Sequence, residues 1–186
     1  MSLWFTSDMH FNHDREFIYK PRGFESVQEQ NEIILENILN SIKEDDELYL
    51  LGDIALGGPD NDGTRFLKEI PCKIHIVRGN HDTDKRLEAY ANLPNVVDIA
   101  EAMRLKVGKY HFFLCHYPTY TSSLTETSLK RCLINLYGHT HQKNNFFNDI
   151  PFMYHVGVDS HNNKPVCIED IIEEIKKKKD ECFAMM

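Results

Sequence analysis

The sequence predicts an α/β fold in which two β-sheets pack face to face with helices on the outside. Three observations support this prediction. Short apolar runs rich in β-branched and aromatic residues recur along the chain, helical patterns separate them in the first half, and strand-like runs follow one another after Pro94. Because the 186 residues contain no linker, repeat or low-complexity segment, we expect a single domain over residues 1–186.

Five apolar runs are too short for helices and are predicted to be buried strands. They cover residues 3–6, 48–51, 74–77, 110–114 and 133–137. Residues 96–97 and 103–107 are predicted to form two more strands. Between the run at 103–107 and the run at 110–114, Gly108 and Lys109 match the composition of a two-residue hairpin turn.

Helices are predicted between the early strands and at the end of the chain. Ser26 and Glu29 form a capping-box pattern, which predicts a helix that begins there and continues to Ile42. Shorter helices are predicted around residues 64–70 and 84–93. The last helix, over residues 169–181, has acidic residues at its start and lysines at its end, as the helix dipole favours. Its lysines are therefore interpreted as a solvated helix end.

Composition and charge narrow the function classes. The formal net charge of −8 disfavours long nucleic acid as a partner, because no continuous basic track is visible to offset it. No apolar run approaches the length of a membrane span, and the N-terminus lacks the pattern of a signal peptide, so a cytoplasmic location is predicted. The five cysteines are odd in number and form no CxxC pair, which argues against a disulfide framework and a structural zinc finger.

A carboxylate, imidazole or amide follows each of the five predicted strands. The sequences are Ser7-Asp8-Met9-His10, Gly52-Asp53, Gly79-Asn80-His81-Asp82, Cys115-His116 and Gly138-His139-Thr140-His141. Open α/β sheets bind ligands outside the carboxyl ends of their strands, so these residues are predicted to converge on one site. A lone Asp-x-His or Gly-Asp would be an unremarkable surface turn, but the whole set in this register predicts a functional centre.

The chemistry of the set indicates metal binding. Its members are Asp8, His10, Asp53, Asn80, His81, His116, His139 and His141. Oxygen and imidazole ligands suit Mn, Fe, Zn or Ni better than Cu(I) or an iron–sulfur cluster. There are more of them than one tetrahedral ion needs, and a bridging carboxylate would let two ions share them.

These motifs, in this order, resemble those of the calcineurin-like metallophosphoesterases. The opening Thr6-Ser7-Asp8-Met9-His10-Phe11-Asn12-His13, together with Val156-Gly157-Val158-Asp159, is similar to a compact bacterial and phage branch of that family. The resemblance implies a four-layer αββα sandwich of two mixed sheets flanked by helices. It also implies two divalent metal ions, with Mn as the first candidate and Fe, Zn, Ni or Mg as alternatives.

The resemblance further implies a role for each motif residue. It assigns Asp8, His10 and His141 to one metal ion, and Asn80, His116 and His139 to the other, with Asp53 bridging both. His81 is implied to be the acid that protonates the leaving oxygen or steadies the transition state. Hydroxide activated between the two ions would attack the phosphate ester.

A small phosphodiester is the expected substrate, and the short chain leaves little room for a domain that would cap the site. A monoester dianion generally needs extra cationic side chains beside the metals. Within the motifs the only such candidate is Arg78, with His13 as a partial cation, and both are candidate substrate-binding residues. Lys20 and Arg22 are predicted to be solvated surface charges. A phosphomonoesterase, a protein phosphatase, a nuclease and a non-catalytic scaffold of the same fold remain alternatives.

Overall fold

A computed structural model describes residues 1–57, 63–123, 126 and 128–184, and it contains two β-sheets. The strands of the first sheet are β1 (Leu3–Thr6), β2 (Glu47–Leu50), β3 (Lys73–Val77), β4 (Val96–Ala100) and β9 (Val166–Cys167). They lie in the order β4-β3-β2-β1-β9. Strands β1 to β4 are parallel to one another, whereas β9 pairs with β1 in the antiparallel direction.

The second sheet has four strands. They are β5 (Ala102–Val107), β6 (Tyr110–Cys115), β7 (Leu133–Tyr137) and β8 (Met153–His155), and they lie in the order β5-β6-β7-β8. Strand β5 is antiparallel to β6, whereas β6, β7 and β8 are parallel. Val107 pairs with Tyr110, so the loop between β5 and β6 has two residues, which confirms the predicted hairpin.

Five helices accompany the sheets in the described part of the chain. They are α1 (Glu16–Tyr19), α2 (Val27–Ser41), α3 (Thr64–Glu69), α4 (Asp84–Ala91) and α5 (Ile168–Ala184), and 3₁₀ turns cover Lys20–Arg22 and Phe147–Asp149. At the start of α2 the Ser26 hydroxyl accepts a hydrogen bond from the Glu29 backbone N–H, as the capping box predicts. The α/β fold of two mixed sheets flanked by helices is therefore confirmed.

Alternation along the central strands buries both faces of the first sheet. Phe5, Tyr49 and Val77 point towards the second sheet and belong to the same apolar cluster as Phe112 and Leu136. The strand residues next to these point to the opposite face, where a second apolar cluster joins the sheet to the helices. Its members include Leu48, Leu50, Ile74 and Ile76 from the strands and Ile34, Ile38, Phe66 and Tyr90 from the helices. Burial on both faces is typical of parallel strands and leaves their ends as the accessible edge.

Among the residues that the structure describes, none of the helices combines the length and the apolar character needed to traverse a membrane.

Candidate metal centre

The loops that follow the central strands meet at one edge of the two sheets. The Asp8 N–H donates to the Gly52 carbonyl and the His10 N–H donates to the Asp53 carbonyl, each at 3.0 Å, so the backbones after β1 and β2 run side by side. In the second sheet the Gly138 N–H donates to the His116 carbonyl at 2.9 Å. This edge is where the predicted site residues follow their strands.

One group of potential metal ligands consists of Asp8, His10 and His141, each of which offers a ligand atom within 4.8 Å of the others. The Nε2 atoms of His10 and His141 are 3.1 Å apart, and His141 Nε2 is 3.9 Å from Asp8 Oδ1. Two ligand atoms that each lie about 2.0–2.2 Å from a shared ion are separated by roughly 3–4 Å. The spacing of these three side chains therefore fits a single cation.

A second group consists of Asn80, His116 and His139. Asn80 Oδ1 is 3.0 Å from His116 Nε2 and 2.9 Å from His139 Nδ1. Asp53 lies between the two groups, because its Oδ2 atom is 3.6 Å from His10 Nε2 and 3.5 Å from His116 Nε2. A carboxylate oxygen in this position can contact two neighbouring cations.

The hydrogen bonding of His116 tests whether a cation fits there. His116 Nδ1 is 2.7 Å from the Leu51 carbonyl oxygen and can only donate to it. In the neutral ring the lone pair therefore sits on Nε2, which faces Asn80 Oδ1 and Asp53 Oδ2. Three acceptor atoms therefore face one another, two of them on the buried side chains of His116 and Asp53 and the third on Asn80 at the cavity. Such a set needs a positive charge between its members, so these side chains fit a divalent metal ion.

The charges of two of these residues follow from their surroundings. Burial alone would raise the pKa of Asp53, but its hydrogen bond with His116 and the nearby imidazoles outweigh burial and hold the pKa at about 2. Burial lowers the pKa of His10 to about 2, although the charge of Asp53 acts in the opposite direction. At neutral pH Asp53 is therefore a carboxylate and His10 a neutral imidazole, which are the forms that bind metal ions.

Burial determines the direction of the pKa shift at Asp8, whereas ion pairing outweighs burial at His116. Desolvation raises the pKa of Asp8, and the neighbouring imidazoles oppose this shift only in part. For His116, burial lowers the pKa, but the hydrogen bond to Asp53 and the charge of Asp8 outweigh it, so the pKa is raised. Both shifts follow from the close packing of carboxylates and imidazoles at this centre.

Five of the seven proposed ligands have a left-handed backbone conformation. They are Asp8 (φ 57°), His10 (φ 50°), Asp53 (φ 54°), His139 (φ 69°) and His141 (φ 48°). Residues other than glycine adopt such angles at a cost of about 1–3 kcal/mol each, and the strain concentrates at functional sites. The sharp turns direct these side chains off the strand ends and towards one another.

Asp82 fixes the loops that carry the proposed bridging residue. Its carboxylate accepts hydrogen bonds from the backbone N–H groups of Asp53 (2.8 Å), Ile54 (3.2 Å) and Gly79 (2.9 Å). The loops after β2 and β3 come so close that a Cβ atom on Gly79 would overlap Asp53 Oδ1. Only glycine allows this approach, which explains the glycine ahead of Asn80.

Arg22 corrects a sequence-based prediction. Its side chain is fully buried, not solvated as predicted. The guanidinium donates to both carboxylate oxygens of Asp159, at 3.0 and 2.8 Å, and to the Asp8 carbonyl at 2.7 Å. Asp159 Oδ2 is in turn 2.9 Å from His141 Nδ1. This arrangement orients the His141 ring, as carboxylates behind metal-binding histidines commonly do. Lys20, by contrast, is exposed as predicted.

A cavity of about 600 Å³ lies over the centre. The proposed site residues that line it are His10, His13, Asp53, Asn80, His81, His139 and His141. His13 approaches His10, with their Nδ1 atoms 3.3 Å apart. His81 Nε2 is 4.0 Å from Asp53 Oδ2, and its side chain is 39% exposed, so it can reach both the centre and a bound molecule.

Arg78 is the one predicted site residue that the structure does not bring to this place. It is absent from the cavity lining, and its guanidinium pairs with Asp84 at 2.8 Å and with Glu101 at 3.5 Å. Lys143 and Phe17, which sequence reasoning did not single out, do line the cavity. Phe17 lies in a four-residue helix and Lys143 in a loop. The local sequence of such segments does not indicate which residues lie near them in space.

Two similarities at the level of sequence show the family of this chain. Residues 1–157 match the model of the calcineurin-like phosphoesterase superfamily domain. An uncharacterised protein of Methanocaldococcus jannaschii is 30% identical over 188 residues, covering 95% of this chain and 93% of that protein.

Solved structures were compared as well. A protein of unknown function from Aquifex aeolicus has a TM-score of 0.69 at 24% identity, with 92% of this chain and 98% of that chain covered. A phosphoesterase from E. coli has a TM-score of 0.49 at 22% identity, with 84% of this chain and 78% of that chain covered. The fold similarity rests on the Aquifex protein.

Proposed function

This chain belongs to the calcineurin-like phosphoesterase superfamily, and we propose that it hydrolyses a small phosphodiester at the centre described above. One observation carries the proposal more than any other. Asp53 Oδ2 lies 3.6 Å from His10 Nε2 and 3.5 Å from His116 Nε2, between two groups of ligand atoms. A shared carboxylate of this kind is what a pair of hydrolytic metal ions requires.

The proposal assigns seven side chains to two divalent ions. Asp8, His10 and His141 would hold one, Asn80, His116 and His139 the other, and Asp53 would contact both. Such ions, when bound, lower the pKa of water towards neutrality and neutralise charge on the phosphoryl oxygens. We also predict that the metal is manganese, that the protein is cytoplasmic and that residues 1–186 form one domain.

His81 is proposed as the general acid. Its backbone N–H donates to Asp53 Oδ1 at 2.9 Å, and Arg86 donates to its carbonyl at 2.6 Å, so the main chain is held on both sides. The ring remains half-exposed and lines the cavity, where it can donate a proton to the departing oxygen. Proton transfer of this type contributes about a hundred- to ten-thousandfold to the rate.

The charges around the cavity favour a diester. Among the described residues that line it, Lys143 is the one lysine or arginine. Arg78 is engaged with two carboxylates and Arg22 with Asp159. A diester monoanion needs fewer cationic partners than a monoester dianion. The net charge of −8 also opposes the binding of a long polyanion.

Two variants test the assignment of roles. Asp53→Ala should lose both metal binding and turnover, because it removes the shared ligand. His81→Ala should keep its metal and lose turnover, because it removes only the acid. Metal content is measured by elemental analysis after loading with manganese, and a metal-free His81→Ala protein would contradict the role given to His81.

The substrate class is tested separately. We expect kcat/KM to be higher for bis-p-nitrophenyl phosphate than for p-nitrophenyl phosphate or a single-stranded oligonucleotide, all with manganese present. Higher efficiency on the monoester would favour a phosphomonoesterase or protein phosphatase, and higher efficiency on the oligonucleotide a nuclease. Bound metal without turnover of any of the three would favour a non-catalytic scaffold.

A further inference from the structure

An exposed aromatic ring stands at the cavity over the candidate metal centre. Phe17, in the four-residue helix α1, is 71% exposed and lines the cavity. Ile18, Pro21 and Leu56 line the cavity as well, and with Phe17 they form what we call the apolar wall. A single exposed phenylalanine needs no explanation, but an apolar surface that faces a ligand cavity is typical of a binding site.

The segment that carries Phe17, Ile18 and Pro21 of this wall is anchored at two points. Buried Arg22 donates to the carbonyl oxygens of Asp8 and Met9, which ties the segment to the loop after β1. Lys143, which also lines the cavity, donates from Nζ to the Pro21 carbonyl at 3.2 Å. This part of the wall is therefore held in place by groups other than its own apolar side chains.

A short row of rings links the wall to the centre. The Phe17 ring centroid is 5.9 Å from that of His13, which is 5.2 Å from that of His10 and 6.3 Å from that of His81. Phe17 thus lies one ring beyond the residues next to the centre. A phosphate bound at the centre could direct an ester substituent across His13 and place a flat group against Phe17.

We infer that the substrate carries an aromatic or heteroaromatic group on the ester that is not cleaved, and that the apolar wall binds this group. The inference rests on the phosphodiesterase function proposed above and adds the chemical class of its substrate. Offset or edge-to-face contact between aromatic rings increases affinity by about two- to tenfold beyond the burial of apolar area. Phe17 is then a specificity-determining residue.

Two diesters with the same leaving group isolate the contribution of the wall. Bis-p-nitrophenyl phosphate and methyl p-nitrophenyl phosphate both release p-nitrophenolate but retain an aryl or a methyl group. The ratio of their kcat/KM values should fall about five- to tenfold in Phe17→Ala relative to wild type, and less in Phe17→Leu. Because the ratio is compared between proteins, the different intrinsic reactivities of the two esters cancel.

Tyr120→Ala is the matched control, since Tyr120 is a 56% exposed aromatic residue that does not line the cavity. Its ratio should equal that of wild type. An unchanged ratio in Phe17→Ala, with wild-type turnover intact, would overturn the inference and leave the phosphodiesterase proposal standing.

Binding measurements separate the two proposals further. Calorimetry with manganese-loaded protein should show that Phe17→Ala weakens phenylphosphonate more than methylphosphonate, by a similar factor of about five to ten. This comparison needs no turnover. If wild type hydrolysed neither diester but Phe17→Ala still weakened phenylphosphonate selectively, the function proposal would fail and the binding of an aromatic group by the apolar wall would stand. Equal weakening of both phosphonates would refute the role given to the apolar wall.

Discussion

Replacing Arg22 with methionine should be among the most damaging single changes in this fold. The side chain is fully buried and donates to both oxygens of Asp159, to two backbone carbonyls and to Gln30 Oε1. Methionine fills a similar space but leaves the Asp159 carboxylate buried beside the His141 imidazole, without the guanidinium that pairs with it. Removing one partner of a buried ion pair costs about 3–5 kcal/mol.

The magnitude is large compared with the stability of an ordinary domain, which is about 5–15 kcal/mol. With a urea dependence of roughly 2 kcal/mol per molar for a chain of this size, the unfolding midpoint should fall by about 2 M. The measurement is urea unfolding followed by circular dichroism, with a chelator present so that metal binding does not contribute. Lys20→Met provides the matched control, because Lys20 lies two positions away and is exposed; its midpoint should not move.

A double-mutant cycle identifies the source of the effect. If the ion pair is responsible, Arg22→Met combined with Asp159→Asn should be less destabilised than the sum of the single changes, with a coupling of about 1–3 kcal/mol. If Arg22→Met lowered the free energy of unfolding by less than about 1 kcal/mol, or if the effects in the cycle were additive, this account of the buried pair would be refuted.

Three further predictions concern backbone geometry and charge. Gly79→Ala should weaken manganese binding, because the added methyl group overlaps Asp53; calorimetry measures the affinity. An unchanged affinity would show that the loops after β2 and β3 can move apart without weakening the metal site. Because His139 has a φ of 69°, His139→Gly should be more stable than His139→Ala by about 1 kcal/mol. His81 does not share that conformation, so alanine should be the more stable replacement there. The urea unfolding midpoints of the four metal-free variants test both expectations. Backbone N–H donors lower the pKa of Asp46, so its carboxylate stabilises the fold above about pH 4 and this contribution is lost as the pH falls through the folded-state pKa. The stability difference between wild type and Asp46→Asn should therefore be full at about pH 6 and shrink towards about pH 3, and a constant difference would contradict the assignment.

Much of the fold was predictable because local patterns and tertiary structure agree. The central strands are apolar runs with clear ends, and the capping box at Ser26 and Glu29 marks the start of α2. The missed elements are short: α1 has four residues, β8 three and β9 two. Segments of this length are stabilised by their neighbours in space, so their own composition does not distinguish them from loops.

In the site, too, residues positioned by local sequence could be predicted and residues positioned by distant partners could not. Side chains directly after strand ends could be predicted to converge, because parallel strands deliver their ends to one edge. Arg22 could not be assigned correctly, since its partner Asp159 is 137 positions away and nothing near Arg22 in sequence indicates burial. Arg78 shows the reverse case: it is adjacent in sequence to the motif, yet it turns to Asp84 and Glu101. Proximity along the chain does not determine which carboxylate a flexible cation finds.

The division of the proposed ligands between two sheets has a consequence for the lifetime of the protein. Asp53 and Asn80 follow strands of the first sheet, whereas His116 and His139 follow strands of the second, so a bound ion would fasten the sheets together. An ion that binds only the docked state adds about 2.7 kcal/mol at a hundred times its dissociation constant. When metal is scarce, the sheets should separate more often and expose their inner apolar faces to proteases. Metal supply would then govern how much of the protein persists in the cell.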